Sequence, residues 1–342
     1  MKKIVPCFII MVLLLSGCAT TTGPRVSSFE VRQAEERLKA KAVRHKYDQL
    51  QRVSDIGYRI VKNLPLENGT RSYPYIGLNV VKITDIIQGA YAIDDGATGV
   101  VAVTVAKGSP AERAGISAGD IIEEIDGSNI RNETGFNNAT SYAKLKDKER
   151  IDLRIKRQGV RSTLSCDVER VPRQVSFDMV DDQSINAGAS YDKVAVTYGM
   201  MKFITSDDEI AVVLGHEFAH ITRGHIAKST GVQMLAGLAV IGLGVISENI
   251  QPGSGTEIMR AASGASQIFS RSYSRDLERE ADYFGLQYTK SAGYDYTVAI
   301  DLWERFAVEV PKSMVENFLN THPTSPERLV RLEKIIEELR SE

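Results

Sequence analysis

Two segments of the chain have a helical pattern of apolar residues, and a region with a different pattern lies between them. In residues 29–65, apolar side chains recur at three- and four-residue intervals, which predicts one long amphipathic helix. Residues 73–170 contain short apolar runs separated by glycine-containing turns, which is typical of strands. We expect one of these strands at residues 75–80, and a single helix near residues 136–145. From residue 171 to residue 342 the pattern is mainly helical again. We therefore expect an α+β protein in which a small β-rich domain interrupts a mainly helical, discontinuous domain.

The N-terminus has the layout of a secretory leader. Lys2 and Lys3 form a positive region, residues 4–15 are almost wholly apolar, and small residues precede Cys18. This layout resembles a bacterial lipoprotein signal. The resemblance implies a signal peptide at residues 1–17, a lipid anchor on Cys18, a polar linker over residues 18–28, and an outer-membrane protein facing the periplasm. A plain signal peptide or a single-span anchor is the alternative.

Charge and cysteine content limit the possible partners and covalent links. Nucleic-acid binding needs a basic face that neutralises phosphates, and the net charge of −2 gives no electrostatic reason to expect such a partner. The resemblance to a lipoprotein signal implies that Cys7 would be removed with the leader and Cys18 lipidated, which would leave Cys166 without a disulfide partner in the mature chain. Its apolar neighbours predict that Cys166 is buried. The sequence predicts no oligomeric state.

The strongest chemical signal is a pair of histidines on a predicted helix. A capping box at residues 206–209 begins this helix, and its apolar pattern runs over residues 207–227. His216 and His220 are one turn apart and can occupy two corners of a tetrahedral zinc site, with one zinc per chain. Glu217 can reach a water molecule beside the metal and take its proton, while zinc stabilises the developing oxyanion.

A second predicted helix supplies a candidate third ligand. Glu278 and Asp282 are four residues apart and share one helix face. This pair suits a metal ligand and a second carboxylate that accepts the outer N–H of a ligating histidine. A solvated acidic face is the alternative interpretation, and we assign Asp276 and Glu280 to such a face.

The two helices together resemble the zinc metallopeptidase family of HtpX, BepA and the CaaX prenyl proteases, which are gluzincins. Asn186 and Ala187, ahead of the first helix, also fit the family pattern. The resemblance covers nearly everything outside the leader and residues 73–170. It implies a zincin-type fold, three metal ligands, a catalytic base and a carboxylate that orients a ligand. The implied metal ligands are His216, His220 and Glu278. The implied base is Glu217, and the implied orienting carboxylate is Asp282.

Three further polar residues, His322, Arg328 and His225, could lie near the metal site or have only a structural role. Relatives in this family carry a His-Pro pair beside the active site, so His322 is a candidate to contact the metal, gate it, or donate to the oxyanion. Arg328 is an alternative donor, and a plain turn before the last helix is the alternative to both. His225 lies about 140° from His220 on a continuous helix, so we expect it to face away from zinc and to be structural.

Residues 73–170 resemble a bacterial PDZ domain of the kind attached to envelope proteases. The pattern Ser-Pro-Ala-x-x-Ala-Gly-x-x-x-Gly-Asp-x-Ile, beginning at Ser109, carries this resemblance. It implies that backbone N–H groups of one loop bind a C-terminal carboxylate while the peptide adds a strand to the sheet. A PDZ fold used only as a spacer is the alternative. The implied loop is Tyr75, Ile76, Gly77 and Leu78.

An apolar stretch follows the helix that carries the two histidines. Residues 231–246 are short for a membrane span, which usually needs ~20 residues, and they contain several glycines. We expect a packed or mobile helical hairpin there, with residues 251–256 as part of a lid. A membrane span is the alternative.

The predicted function is zinc-dependent hydrolysis of cell-envelope proteins in quality control. Polypeptides would be the substrates, and C-terminal tails would bind through the PDZ segment. The alternatives are a periplasmic chaperone or assembly factor with a latent zinc site, and a PDZ scaffold.

Overall fold

The structure, a computed structural model, describes residues 23–24, 26–64, 71–94, 96–228, 273–310, 322 and 325–341. The proposed leader, Cys18, the apolar stretch 231–246 and the predicted lid 251–256 lie outside these residues. Among the helices that the structure describes, none is long and apolar enough to cross a membrane.

Helices and strands both contribute to the fold, which confirms the predicted α+β class. The described helices are α1 (Ser28–Lys62), α2 (Asp85–Tyr91), α3 (Pro110–Arg113), α4 (Glu133–Ala139), α5 (Tyr142–Leu145), α6 (Tyr198–Phe203), α7 (Asp207–Thr222), α8 (Arg275–Ser291), α9 (Ala299–Glu309) and α10 (Pro326–Ser341). The described strands are β1 (Tyr73–Tyr75), β2 (Leu78–Lys82), β3 (Val100–Val105), β4 (Ile121–Ile125), β5 (Ser128–Asn129), β6 (Arg150–Arg157), β7 (Val160–Asp167), β8 (Glu169–Val171), β9 (Ser176–Val180), β10 (Ala187–Ala189) and β11 (Lys193–Thr197).

The β-rich segment forms an antiparallel sheet in the order β2-β3-β4-β6-β7, and β5 pairs with β4. Alternate residues of β6 are buried and the residues between them are mostly exposed, as expected for a sheet with one covered face. Cys166 on β7 belongs to the same apolar core. Its burial raises the pKa of the thiol to about 12, so it packs as a small apolar side chain.

The sequence pattern misplaced some short elements of this segment. Residues 75–80 were expected to form one strand, but Gly77 has a φ of 80° and separates β1 from β2. Only glycine adopts that backbone conformation at little cost, so the strand ends there. The expected single helix over residues 136–145 is two short helices, α4 and α5, and α2 was not predicted.

Helix α1 has two different contact faces in its second half. Val53, Ile56 and Ile60 pack into the core of the helical domain. On another face, the Gln51 side-chain amide donates to the carbonyl of Val105 at 2.8 Å and accepts from its N–H at 2.9 Å. It thereby pairs with the end of β3 as a neighbouring strand would. Helix α1 therefore joins the core that follows the β-rich segment in sequence, which makes the helical domain discontinuous.

The helical domain contains a three-stranded sheet in the order β10-β11-β9. Strand β11 is antiparallel to β10 and parallel to β9. Helix α7 contacts β10 and packs in one apolar core with α1, α8, α9 and α10. Phe218 of α7 is fully buried in this core. The sheet and the surrounding helices therefore hold α7 on several sides.

A close contact between glycines brings α7 and α8 together. A Cβ atom on Gly285 of α8 would lie 2.8 Å from both the backbone nitrogen and the Cα of His216. A Cβ atom on Gly215 would lie 2.7 Å from the carbonyl oxygen of Gly285. Glycine at both positions therefore allows the two backbones to approach more closely than side chains would permit. Thr289 adds a hydrogen bond from its hydroxyl to the carbonyl of Ala211, at 3.2 Å.

We predict that Gly285→Ala destabilises the protein by about 1–3 kcal/mol, because the added methyl group meets backbone atoms that cannot rotate away. Chemical denaturation gives the free energy of unfolding. Gly89→Ala is the matched control, since its Cβ would lie 3.6 Å from that of Ala40, an ordinary contact. We expect the control to be neutral or slightly stabilising. Equal stability of the two variants would contradict the close-contact explanation.

Candidate metal centre

Helix α7 positions the two histidines and the glutamate between them. The Ser206 hydroxyl caps its first turn by accepting from the N–H of Glu209 at 3.2 Å. The side chains of His216, Glu217 and His220 are all almost completely buried. A rigid, desolvated helix therefore presents these three groups to the interior rather than to solvent.

Three side chains place their donor atoms at the spacing of a tetrahedral metal site. The Nε2 atoms of His216 and His220 are 3.2 Å apart. Glu278 lies 3.4 Å from each of them, through Oε2 to His216 and through Oε1 to His220. Ligands about 2.0–2.1 Å from a tetrahedral zinc ion lie roughly 3.4 Å from one another. The three predicted ligands therefore have a geometry that fits zinc.

The charge of the cluster also fits a divalent cation. Glu217, Glu278 and Asp282 are buried carboxylates, and Arg328 is the buried cation beside them. When all four are ionised and the imidazoles are neutral, the group carries two negative charges in excess. Burial lowers the pKa of His216, but Asp282 and Glu278 outweigh it and raise that pKa to about 9. This environment favours positive charge, which a divalent metal would supply.

His322 joins the same group of donors. Its Nδ1 lies 3.2 Å from His216 Nε2 and 3.2 Å from each carboxylate oxygen of Glu278. All four side chains are buried, and one ligand atom from each lies within 4.8 Å of the others. Of the interpretations open from the sequence, contact with the metal or gating of it suits this placement best. Its neighbour Pro323 lies outside the described residues.

Glu217 lies beside the donors rather than among them. Its Oε1 is 3.2 Å from Nε2 of His322, yet neither of its oxygens accepts a hydrogen bond from the residues described. Burial raises the pKa of this carboxyl above its usual value. A buried carboxylate with unused acceptor capacity next to a metal site is suited to accept a proton from a water molecule.

Asp282 orients the first histidine. Its Oδ1 lies 3.0 Å from His216 Nδ1, so it can accept the outer N–H while Nε2 points to the metal site. The guanidinium of Arg328 donates to both Asp282 oxygens, at 2.9 Å and 2.6 Å, and lies 3.6 Å from the ring centre of Trp303. These contacts direct Arg328 to Asp282, and they suit positioning better than donation to an oxyanion.

The structure corrects the predicted orientation of His225. Helix α7 ends at Thr222 and not at residue 227, and Gly224 follows with a φ of 68°. The 140° rotation assumed a continuous helix and does not apply across this turn. His225 instead faces back, with its Nδ1 3.0 Å from Nδ1 of His220. Gly224 was the missed signal, since a glycine just after a helix commonly ends it.

Glu280 was also misinterpreted as part of a solvated face. Its Oε2 lies 3.0 Å from Nε2 of His225, and its Oε1 accepts from Nε of Arg223 at 2.7 Å. Helical periodicity did not reveal this contact, because the contact depends on the turn at Gly224. Asp276, by contrast, is exposed and pairs with Arg279.

The loop that resembles a carboxylate-binding loop leads into the open edge of the β-rich sheet. The carbonyls of Ile76 and Gly77 accept from the N–H groups of Ala111 and Ala106, both at 2.9 Å. In a trans peptide the N–H points opposite to the carbonyl, so the N–H groups of Gly77 and Leu78 point away from these partners. All four predicted loop residues line a cavity of about 260 Å³.

Comparison with family models agrees with this architecture. Residues 152–336, more than half of the chain, match the model of peptidase family M48. The chain belongs to peptidase family M48. Residues 74–168 match the PDZ domain model. The M48 match begins inside β6, although the packing assigns β6 and β7 to the PDZ core. The predicted family and the predicted PDZ domain are both confirmed.

Several known proteases of this family are similar to the chain. A putative beta-barrel assembly-enhancing protease of Vibrio cholerae serotype O1 is 31% identical over 159 residues, which cover 45% of this chain and 33% of the relative. The mitochondrial metalloendopeptidase OMA1 of Arabidopsis thaliana is 32% identical over 137 residues, covering 40% and 26%. Metalloprotease YcaL of Escherichia coli (strain K12) is 27% identical over 158 residues, covering 45% and 59%. The matched segment is thus less than two thirds of the length of each of these relatives.

Among solved structures, the chain is similar to the HtrA3 PDZ domain bound to a phage-derived ligand. The identity is 23% and the TM-score is 0.25, with 30% of this chain and 91% of that chain covered. The PDZ assignment rests on the family model.

Proposed function

We propose that this M48 protein is a zinc-dependent endopeptidase. The supporting observation is the convergence of His216, His220 and Glu278 at tetrahedral spacing beside the buried carboxylate of Glu217. The metalloendopeptidase names of its relatives agree with this proposal. No other cluster of metal-ligating side chains was found among the described residues.

Each side chain of the site has a separate role in the proposed peptide hydrolysis. When bound, zinc supplies a Lewis acid that polarises a peptide carbonyl and makes a nearby water more acidic. Glu217 accepts the proton of the attacking water and passes it to the amine that leaves. Asp282 keeps the His216 ring oriented, and Arg328 keeps Asp282 in place. Desolvation around Glu217 strengthens its interaction with charge that develops during the reaction.

His322 occupies the position that a substrate group needs. Catalytic zinc sites have three protein ligands and keep one position open. His322 Nδ1 lies 3.2 Å from His216 Nε2, so His322 would be a fourth protein ligand and would leave no position open for substrate. We therefore propose that hydrolysis requires His322 to move away from the other three donors.

The biological role we propose is quality control of cell-envelope proteins. Two observations support it: a relative named beta-barrel assembly-enhancing protease, and the lipoprotein-like leader with Cys18. In this proposal Cys18 anchors the protein to the outer membrane, facing the periplasm. A periplasmic chaperone or assembly factor with a latent zinc site is the competing proposal, and a PDZ scaffold is another.

Glu217→Gln tests the enzymatic proposal. We expect it to lower hydrolysis of an unfolded protein such as casein by at least about 100-fold, because general-base catalysis contributes ~10²–10⁴. Zinc content, measured on the same sample, should equal that of the wild type. Asp276→Asn on α8 is a control, since its exposed side chain lies outside the site. Full function of the Glu217→Gln protein in cells, although its hydrolysis of casein is lost, would favour the chaperone role. Unchanged hydrolysis of casein would contradict the assignment of Glu217 as the base.

We propose that the PDZ domain binds C-terminal tails of polypeptides. The supporting observation is the direction of the N–H groups of Gly77 and Leu78, which leaves them available to a carboxylate at the sheet edge. Ile76, Leu78 and Phe136 line the adjoining cavity, which suits an apolar terminal side chain.

A pair of peptides tests this binding. We expect a peptide ending in a free apolar residue to bind more tightly than the same peptide with a C-terminal amide, because the amide lacks the charge that the N–H groups favour. Fluorescence anisotropy with the whole protein measures both affinities. Equal affinities, or no binding of either peptide, would instead support a spacer role.

A further inference from the structure

The outer nitrogen atoms of the two histidines on α7 have different partners. His216 Nδ1 faces the carboxylate of Asp282 at 3.0 Å. His220 Nδ1 faces another imidazole, that of His225, also at 3.0 Å. A ring nitrogen beside another ring nitrogen is a stable contact only if one of them carries a proton and the other does not. The ring nitrogen of His225 that carries the proton therefore decides the tautomer of His220.

The other side of His225 settles which nitrogen carries the proton. His225 Nε2 lies 3.0 Å from Oε2 of Glu280, and an ionised carboxylate can only accept a hydrogen bond. Nε2 of neutral His225 must therefore be the donor, which leaves its Nδ1 as an acceptor. His220 Nδ1 must then donate to it. This leaves the lone pair of His220 on Nε2, the atom that faces His216 and Glu278.

We propose that His225 and Glu280 are positioning residues that fix the tautomer and ring orientation of the second zinc ligand, His220. The proposal rests on the zinc site described above. It extends that site to a carboxylate, Glu280, which was predicted to be merely solvated. Helix α8 would then supply three acidic residues with separate tasks. Glu278 binds the metal, Asp282 orients His216 directly, and Glu280 orients His220 through His225.

Local structure holds this chain of contacts in place. His225 is fully buried and the turn at Gly224 directs it toward His220. Glu280 accepts from Arg223 on the turn before Gly224, which ties α8 to the end of α7. Tyr273 stacks on the His220 ring with 3.8 Å between ring centres. The stacked ring restricts rotation of His220, so the hydrogen bond at Nδ1 can select the tautomer.

Zinc affinity of the purified whole protein tests the proposal. Chelator competition should show that His225→Ala weakens zinc binding about 10- to 100-fold, the usual cost of losing such an outer partner. Glu280→Ala should weaken it as well, and the side chain of Glu280 is partly exposed, so this variant is expected to fold. If Glu280 acts through His225, the double variant should bind zinc as weakly as His225→Ala alone.

Controls separate this role from a general structural one. His45→Ala removes an exposed histidine and Asp276→Ala removes an exposed carboxylate of α8, and neither should change zinc affinity. The visible spectrum of the cobalt-substituted protein should change in His225→Ala and remain unchanged in both controls. His225→Asn, whose amide can both accept and donate, should recover part of the affinity.

Different results would overturn different claims. Zinc affinities of the His225→Ala and Glu280→Ala proteins within twofold of the wild type would overturn this inference and leave the zinc site intact. Additive losses in the double variant would overturn the link between the two residues. Absence of zinc binding by the wild type would instead contradict the proposed function itself.

Discussion

The close contact between α7 and α8 is the constraint on which the metal centre depends. Gly215 and Gly285 allow the two backbones to meet without intervening side chains. Glu278 and Asp282 lie on α8 within the two turns before Gly285, and they reach His216 only because the helices are so close. A wider spacing would separate the buried carboxylates of Glu278 and Asp282 from the buried imidazole of His216, at a cost in desolvation.

Burial gives this cluster its chemical character and also makes it costly without a cation. Burial and neighbouring charges shift the pKa values of several groups in opposite directions, and the net shift differs from residue to residue. Burial lowers the pKa of His220 to about 3, which keeps its imidazole neutral, as a metal ligand must be. Burial is likewise the main cause that raises the pKa of Glu217. The same environment thus prepares one group to bind a metal and another to accept a proton.

Helix α1 connects this centre with the PDZ domain. Its Val53 and Ile56 pack in the core that supports α7, and its Tyr58 stacks on Tyr75 of the predicted carboxylate-binding loop, with ring centres 5.0 Å apart. Binding of a polypeptide tail at the PDZ edge would therefore take place one helix away from the catalytic core.

The sequence predicted the parts of the site that depend on helical spacing alone. Residues one turn apart on a helix share a face whatever the tertiary structure, so His216 with His220 and Glu278 with Asp282 could be paired from their numbers. The contacts of His225 depend on a turn that stops the helix, and the position of His322 depends on how distant segments pack. Neither can be obtained from periodicity, and the left-handed φ of Gly224 was the feature that the helical pattern concealed.

X-ray absorption at the zinc edge of the purified protein identifies the atoms that bind the metal. We predict one zinc per chain with nitrogen and oxygen neighbours only, at about 2.0–2.1 Å. We also predict three imidazoles in the wild type and two in His322→Ala, as counted from ring scattering. A sample without zinc, or a zinc whose imidazole scattering is unchanged when His216 and His220 are both replaced by alanine, would contradict the proposed site.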